Sequence, residues 1–218
     1  MTREEAQLMV RDAGLRLVKA GLTAGTWGNI SVRIDDKLMA ITPSGGEYVS
    51  MRPEDITIMN YHDGSYEGKK PSSEKSLHAA VYVSRRDIHA VVHTHSTNAS
   101  VVASARREVP PVLDDLAQII GPTVRCADYA LPSTKKIVKT TMKALKGRMA
   151  ALMANHGAIC LGRDVEEVFT CCEVLEKGCK TFIEAEFWGG AKGINKFEAA
   201  LMHQIYLKKY SKIRINSK

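Results

Sequence analysis

The sequence predicts an α/β fold, a mainly antiparallel sheet covered by helices, built as one domain over residues 1–218. Three observations predict it. A chain of 218 residues fits one large domain, because domains usually run roughly 100–200 residues. Its hydrophobic share of 44% and charged share of 25% are those of a chain that folds around a core. Its order of elements, a helix and then mixed strands and helices with several hairpin-like links, suits an antiparallel sheet under helices.

Residues 3–20 place their apolar side chains, from Ala6 to Val18, at a mostly helical period, and Gly21 follows as a C-terminal stop. A glycine-rich turn then feeds a strand over 30–34, bounded by Asp35 and Asp36. A second strand, 38–42, ends in Pro43-Ser44-Gly45-Gly46, and a third, 56–60, stops at His62-Asp63-Gly64. The first third therefore reads as a meander of antiparallel strands. Pro71-Ser72-Ser73-Glu74 reads as a helix start, with hydroxyls to cap free N–H groups and an acid in the first turn; the helix runs about three to four turns, to near Arg86. Residues 88–92 form a short buried-type strand that delivers His93-Thr94-His95, and 98–105 continue as helix. Farther on, 134–145 are helical, 150–154 and 158–161 are strands around Asn155-His156-Gly157, and 165–187 form a long helix. The tail from Lys196 is helical as well.

Several function classes drop out. The longest apolar run is the six residues from Met149 to Ala154, far short of the roughly 18–20 that a bilayer requires. Glu4, Glu5 and Asp12 break the basic-then-apolar layout of a secretory signal, so a cytoplasmic protein is expected, with no membrane partner. The five cysteines are odd in number and lack a framework spacing, which predicts reduced thiols. The net charge of +7 concentrates at 135–148 and 208–218, where no aromatics are interleaved as a stacking platform would need, so nucleic acid is not an expected partner.

The residues that carry chemistry lie at turns and strand ends. On extended backbone His93 and His95 project to one face, and two imidazoles so placed can reach one ion. His156 breaks an apolar stretch with Asn155 and Gly157, a polar interruption that costs free energy unless something requires it. Glu74 has His78 four residues on, along the same helical face. The glycine- and serine-rich turns around Gly28, Gly45 and Ser72 are neither a P-loop nor a dinucleotide fingerprint, yet their N–H and hydroxyl groups can cradle a phosphate, above all at the helix start after Ser73.

Together and in this order, GTWGNISVRI, ITPSG, PSSEKSLH, VVHTH and NHGAICLG resemble the successive signatures of the class II aldolase/adducin family, closest in motifs to its fuculose-phosphate aldolases. The likeness covers roughly residues 5 to 190. It implies a single α/β/α domain assembled as a homotetramer with active sites at subunit interfaces. It implies that His93, His95 and His156 ligate a divalent metal, Zn2+ first, with Mn2+ and Co2+ as alternatives. Gly28, Asn29, Ser44, Gly45, Ser72 and Ser73 match the segments that hold a substrate phosphate, and Glu74 matches the acid/base carboxylate. The family's aldolases carry Glu at that position and its epimerase carries Asp. The implied reaction is reversible cleavage of a ketose 1-phosphate, such as L-fuculose 1-phosphate or a related deoxy-ketose 1-phosphate, into dihydroxyacetone phosphate and an aldehyde. Alternatives within the family are a sugar-phosphate 4-epimerase, a 3-oxo-tetronate 4-phosphate decarboxylase and a methylthioribulose-1-phosphate dehydratase; an adducin-like interaction module would share the fold without catalysis. One departure stands out: where fuculose-phosphate aldolase has a Tyr from a neighbouring subunit, 112–118 here holds Asp114 and Asp115 and no Tyr. Those two acids, with Tyr206 and Tyr210 of the tail, are the candidates for a neighbouring subunit's acid/base group.

Overall fold

The computed structural model describes the backbone of residues 1–215 and the side chains of residues 1–209. Within them lie seven helices, α1 (Arg3–Lys19), α2 (Lys75–Ser84), α3 (Thr97–Ser104), α4 (Asp114–Ile120), α5 (Lys135–Leu145), α6 (Val165–Phe187) and α7 (Lys196–Ile215). The strands are β1 (Asn29–Arg33), β2 (Leu38–Ile41), β3 (Thr57–Asn60), β4 (Tyr66–Glu67), β5 (Ala90–Thr94), β6 (Arg125–Ala127), β7 (Ala150–Met153) and β8 (Gly157–Gly162). They form one sheet in the order β4-β3-β2-β1-β5-β8-β7-β6. Every pairing is antiparallel except β6 with β7 at one edge. The meander expected in the first third is present as β1 to β4, and the mainly antiparallel sheet is as the order of elements predicts.

Local chemistry sets the helix starts. Thr2 and Glu5 form a reciprocal capping box on α1, Thr134 caps α5 and Asp164 caps α6, each satisfying N–H groups that the first turn leaves free. The helix expected from Pro71 begins one turn later. Its N-cap is Glu74 itself, with φ −96° and ψ 9°, so Glu74 stands before the first turn, and its carboxylate makes no capping bond. That leaves the side chain free for other partners.

Strand parity assigns the two layers of helices. Neighbouring residues point to opposite faces of a sheet. Val32 of β1 borders one cavity with Leu8, Met9 and Ala13 of α1, whereas Ser31 bonds His78 and Tyr82 of α2. Leu161 of β8 borders one cavity with Val81 of α2 and Leu145 of α5, while Cys160 lies with Cys171 and Cys172 of α6. So α1 and α6 cover one face and α2 and α5 the other, an α/β/α sandwich. Tyr82, Phe169, Leu17 and Leu152 are among the largest side chains fully buried between these layers, each worth about 1.5–3 kcal/mol of transfer. All five cysteines are unpaired thiols. Among the described residues, no helix is long and apolar enough to cross a membrane.

A buried arginine fixes α2 to the sheet. Arg33 is 5% exposed and donates to the carbonyl oxygens of Tyr82, Arg85 and Ile88 and to the Tyr61 hydroxyl. Its guanidinium also lies over the Tyr82 ring, 4.8 Å from the centroid. The C-terminal end of α2 is thereby held to β1.

Candidate active site

Pairing register brings the polar residues together. Asn29 lies opposite His93, which lies opposite Ile159, so Asn29, Ser31 and His93 share the face covered by α2. The turn after β2 and the turn before α2 are joined by a bridge between Pro43 and Pro71, with Ser44 N–H donating to the Lys70 carbonyl and Ser72 N–H to the Thr42 carbonyl. Two serine-bearing turns, far apart in sequence, thus run side by side next to Gly28 and Asn29.

Three histidines converge where β5 and β8 meet. His93 is the penultimate residue of β5, farther into the strand than its expected end at 92, and His95 follows just past it. His156 sits in the turn between β7 and β8, beside Asn155 with φ 55°. One ring nitrogen from each lies within 4.8 Å of the others, and the ring centroids are 4.7, 4.8 and 5.1 Å apart. Gly157 permits this approach: a Cβ there would overlap the Thr94 carbonyl oxygen and reach 3.3 Å from His93 Cε1. Gly157→Ala is accordingly expected to lower stability by about 2 kcal/mol or more, measured by urea unfolding; a loss below about 0.5 kcal/mol would show that the strand end yields without strain. Gly28, at φ 79°, plays a similar part, since a Cβ there would come 2.7 Å from the His93 carbonyl oxygen.

The donor set fits a cation. His93 Nδ1 donates to the Ala158 carbonyl at 2.8 Å, so in the neutral ring the lone pair is on Nε2. That lone pair faces His95 Nε2 at 2.9 Å and Glu74 Oε2 at 3.1 Å. A lone pair against a carboxylate is repulsive unless positive charge lies among them. His156 Nδ1 and Glu74 Oε1 are buried without a hydrogen-bond partner, and His156 Nε2 is 3.7 Å from Glu74 Oε1. Burial, then the neighbouring His93 and His156, pushes His95 down to about 4, and burial with His93 lowers His156 as well. Both rings are therefore neutral at neutral pH, the state in which imidazole nitrogen binds a divalent ion. Burial pushes the Glu74 carboxyl up, while positive charge at the position of His93, the Asn29 bond and positive charge at His156 and His78 push it down, with a net direction below the usual carboxylate range.

Glu74, His95 and His156 open onto a cavity of about 680 Å³. All six residues expected at a phosphate, Gly28, Asn29, Ser44, Gly45, Ser72 and Ser73, lie on its wall, together with Glu74, His95 and His156. The side chain of Asn29 is engaged as well, for its Nδ2 donates to Glu74 Oε2 at 2.9 Å and its Oδ1 meets His78 Nε2. Ala24, Thr26, Trp27, Pro43, Tyr129, Ala130, Pro132 and Asn155 complete the wall, and of these Tyr129, Ala130 and Pro132 lie outside every motif that the sequence offers. Trp27 and Thr26 sit within a signature turn, whereas nothing in the residue types around 129–132 marks them as part of a site. Asp114, Asp115 and Tyr206 do not line the cavity of their own chain: Asp115 pairs with Lys177, and the Tyr206 hydroxyl donates to Glu167. The side chain of Tyr210 lies outside the described residues.

Known proteins are similar to this chain in sequence and in fold. The family described as Class II Aldolase and Adducin N-terminal domain matches residues 9–183. The 5-deoxy-D-ribulose 1-phosphate aldolase of Bacillus thuringiensis serovar kurstaki is 39% identical over 181 residues, 82% of this chain and 84% of the relative. The 5-methylthioribulose-1-phosphate/5-deoxyribulose-1-phosphate aldolase of Rhodospirillum rubrum is 38% identical over 167 residues, 76% of this chain and 75% of the relative. A solved L-fuculose 1-phosphate aldolase superposes with a TM-score of 0.88 at 35% identity, covering 93% of this chain and 96% of that one. Matched over most of its length in both sequence and fold, the chain belongs to the class II aldolase and adducin family.

Proposed function

We propose that the chain is a metal-dependent aldolase that reversibly cleaves a deoxy-ketose 1-phosphate into dihydroxyacetone phosphate and an aldehyde. One observation carries the reading: Glu74, a buried carboxylate with one oxygen on Asn29 and the other without a partner, stands against three histidines in the cavity that the paired serine turns enclose. The names of the relatives, which are aldolases of 5-deoxyribulose, methylthioribulose and fuculose phosphates, support this class of substrate.

The roles follow from the wall. Backbone N–H groups and hydroxyls of Gly28, Asn29, Ser44, Gly45, Ser72 and Ser73 hold the phosphate and so fix the C1 end of the ketose. A divalent ion, Zn2+ first, held by His93, His95 and His156 would supply Lewis-acid stabilisation of the charge that develops on the ketose oxygens. In cleavage the C3–C4 bond breaks, its electron pair stays on C3, and the C4 hydroxyl loses its proton as the aldehyde leaves. In the condensation direction ionised Glu74 removes a proton from C3; in cleavage Glu74 first takes up a proton from solvent in the open cavity and then gives it to C3. Its Oε1, free of other bonds, is the oxygen able to carry that proton. The group that receives the C4 proton comes from a neighbouring copy in a homotetramer, with Asp114, Asp115, Tyr206 and Tyr210 as candidates. Trp27, Tyr129 and Pro132 offer apolar surface to a deoxygenated end of the sugar.

The test is release of dihydroxyacetone phosphate from a panel of ketose 1-phosphates that includes L-fuculose and 5-deoxyribulose 1-phosphates, before and after chelation and after Zn2+, Mn2+ or Co2+ is restored. Release that stops with the chelator and returns with metal is expected. No release from any member with metal bound would overturn the aldolase reading in favour of epimerase, decarboxylase or dehydratase chemistry, and a protein that binds no metal at all would favour a non-catalytic interaction module.

A further inference from the structure

A row of polar side chains runs from the core to Glu74. The Tyr82 hydroxyl lies 2.9 Å from Ser31 Oγ, which lies 2.6 Å from His78 Nδ1. His78 Nε2 lies 2.5 Å from Asn29 Oδ1, and Asn29 Nδ2 lies 2.9 Å from Glu74 Oε2. Ser31 and His78 are fully buried, Tyr82 is 1% exposed and Asn29 5%. None of Ser31, His78 and Tyr82 lines the cavity. Apolar side chains would fill the same space at lower desolvation cost, so the row calls for a reason.

Its polarity follows from one end. A carboxylate oxygen that bears no proton only accepts, and the Asn29 amide presents its NH2 to Glu74 Oε2 and its carbonyl to His78. His78 Nε2 therefore carries the proton and Nδ1 accepts from the Ser31 hydroxyl, which leaves Ser31 Oγ to accept from Tyr82. Every donor points toward Glu74. Burial pushes the His78 imidazole down to about 3, which keeps the ring neutral with one donor and one acceptor.

We propose that His78 is a positioning residue for proton transfer: it locks the Asn29 amide in the one orientation that holds Glu74 Oε2, and so leaves Oε1 aimed for the proton at C3 of the substrate. The assignment rests on the aldolase reading of Glu74. Without the His78 N–H, the amide is free to turn its carbonyl toward the carboxylate, and the carboxylate swings away from it. A misplacement of about 1 Å at the reacting group costs about 100-fold in rate.

The experiment compares His78→Leu, His78→Asn and His78→Gln with the wild type. The readouts are kcat and KM for cleavage, bound metal per subunit, thermal unfolding, and solvent deuterium exchange into dihydroxyacetone phosphate without aldehyde, which isolates the proton transfer. Leu removes both bonds, Asn can keep the one to Ser31, and Gln can place an N–H near the Nε2 position. In the Leu and Asn variants, kcat and exchange are expected to fall together by about 10- to 100-fold, with KM within about threefold and metal unchanged. The Gln variant is expected to return to within about fivefold of wild type. A Leu variant within twofold of wild type, a Gln variant as slow as Leu, or a loss borne by KM or metal content would overturn the proposal. Unfolding of Leu and Asn alongside a fully active Gln variant would mark a structural role and overturn it too. A wild type that exchanges no proton overturns the aldolase reading itself, and the His78 assignment falls with it.

Discussion

Glu74→Gln is expected to leave the protein folded and its metal bound while kcat falls by about 1000-fold or more. The substitution keeps the length of the side chain and an oxygen that can accept from Asn29 Nδ2, so the hydrogen bond behind the group survives. It removes the one property the mechanism uses. The carboxyl is held below its usual range although burial alone would raise it, so it is ionised at neutral pH and ready to take a proton. A carboxamide has no such capacity. General acid–base groups contribute about 100- to 10,000-fold, and Glu74 Oε1 is, among the described residues, the buried carboxylate oxygen of the cavity without a hydrogen-bond partner. The check is single-turnover cleavage together with metal analysis of the same sample. A variant that keeps more than a tenth of wild-type kcat would remove Glu74 from the chemistry.

Much of this site is legible in the sequence because its strongest parts are short and local. His93 and His95 are two residues apart on extended backbone, and β5 does place their Nε2 atoms 2.9 Å apart. His156 is legible as a polar break in an apolar stretch, and its turn supplies the third nitrogen. The rest depends on register. That Asn29 faces His93 follows from the pairing of β1 with β5, and no spacing reveals it. The i+4 relation of His78 to Glu74 is visible, but its bonds reach Ser31 and Asn29, 47 and 49 residues away. Among the elements, α4 and β6 escape pattern reading because seven and three residues are too few to show a period, and two-residue β4 is exposed and has no apolar alternation. The start of α2 misleads for a physical reason: serine and acid before an apolar run read as a cap, whereas the glutamate stands at the cap position and turns its carboxylate to the histidines instead.

Removing the metal is expected to abolish turnover and, separately, to lower the thermal midpoint. The second effect follows from the donors alone. Without positive charge among them, a lone pair on His93 Nε2 confronts a carboxylate at 3.1 Å, and His156 Nδ1 and Glu74 Oε1 lie buried with no partner. A cation held by the three nitrogens relieves that repulsion in the folded state only, and a ligand at 100 times its Kd stabilises by about 2.7 kcal/mol. For a chain of 218 residues this is a shift of roughly 5–10 °C on chelation, reversed by Zn2+. His156→Ala separates the donor set from the general effect of a chelator: it keeps His93 locked on the Ala158 carbonyl but leaves two imidazoles, too few for a closed three-nitrogen site. Metal content in that variant is expected to fall below about 0.2 per subunit, its thermal midpoint to become insensitive to added Zn2+, and its kcat to fall by about 1000-fold. Stoichiometric metal and normal rates in His156→Ala would dissolve the three-histidine site. Metal retained with a lost rate would instead leave His156 a role in turnover without one in binding, and the midpoint measured with and without Zn2+ tells these two outcomes apart.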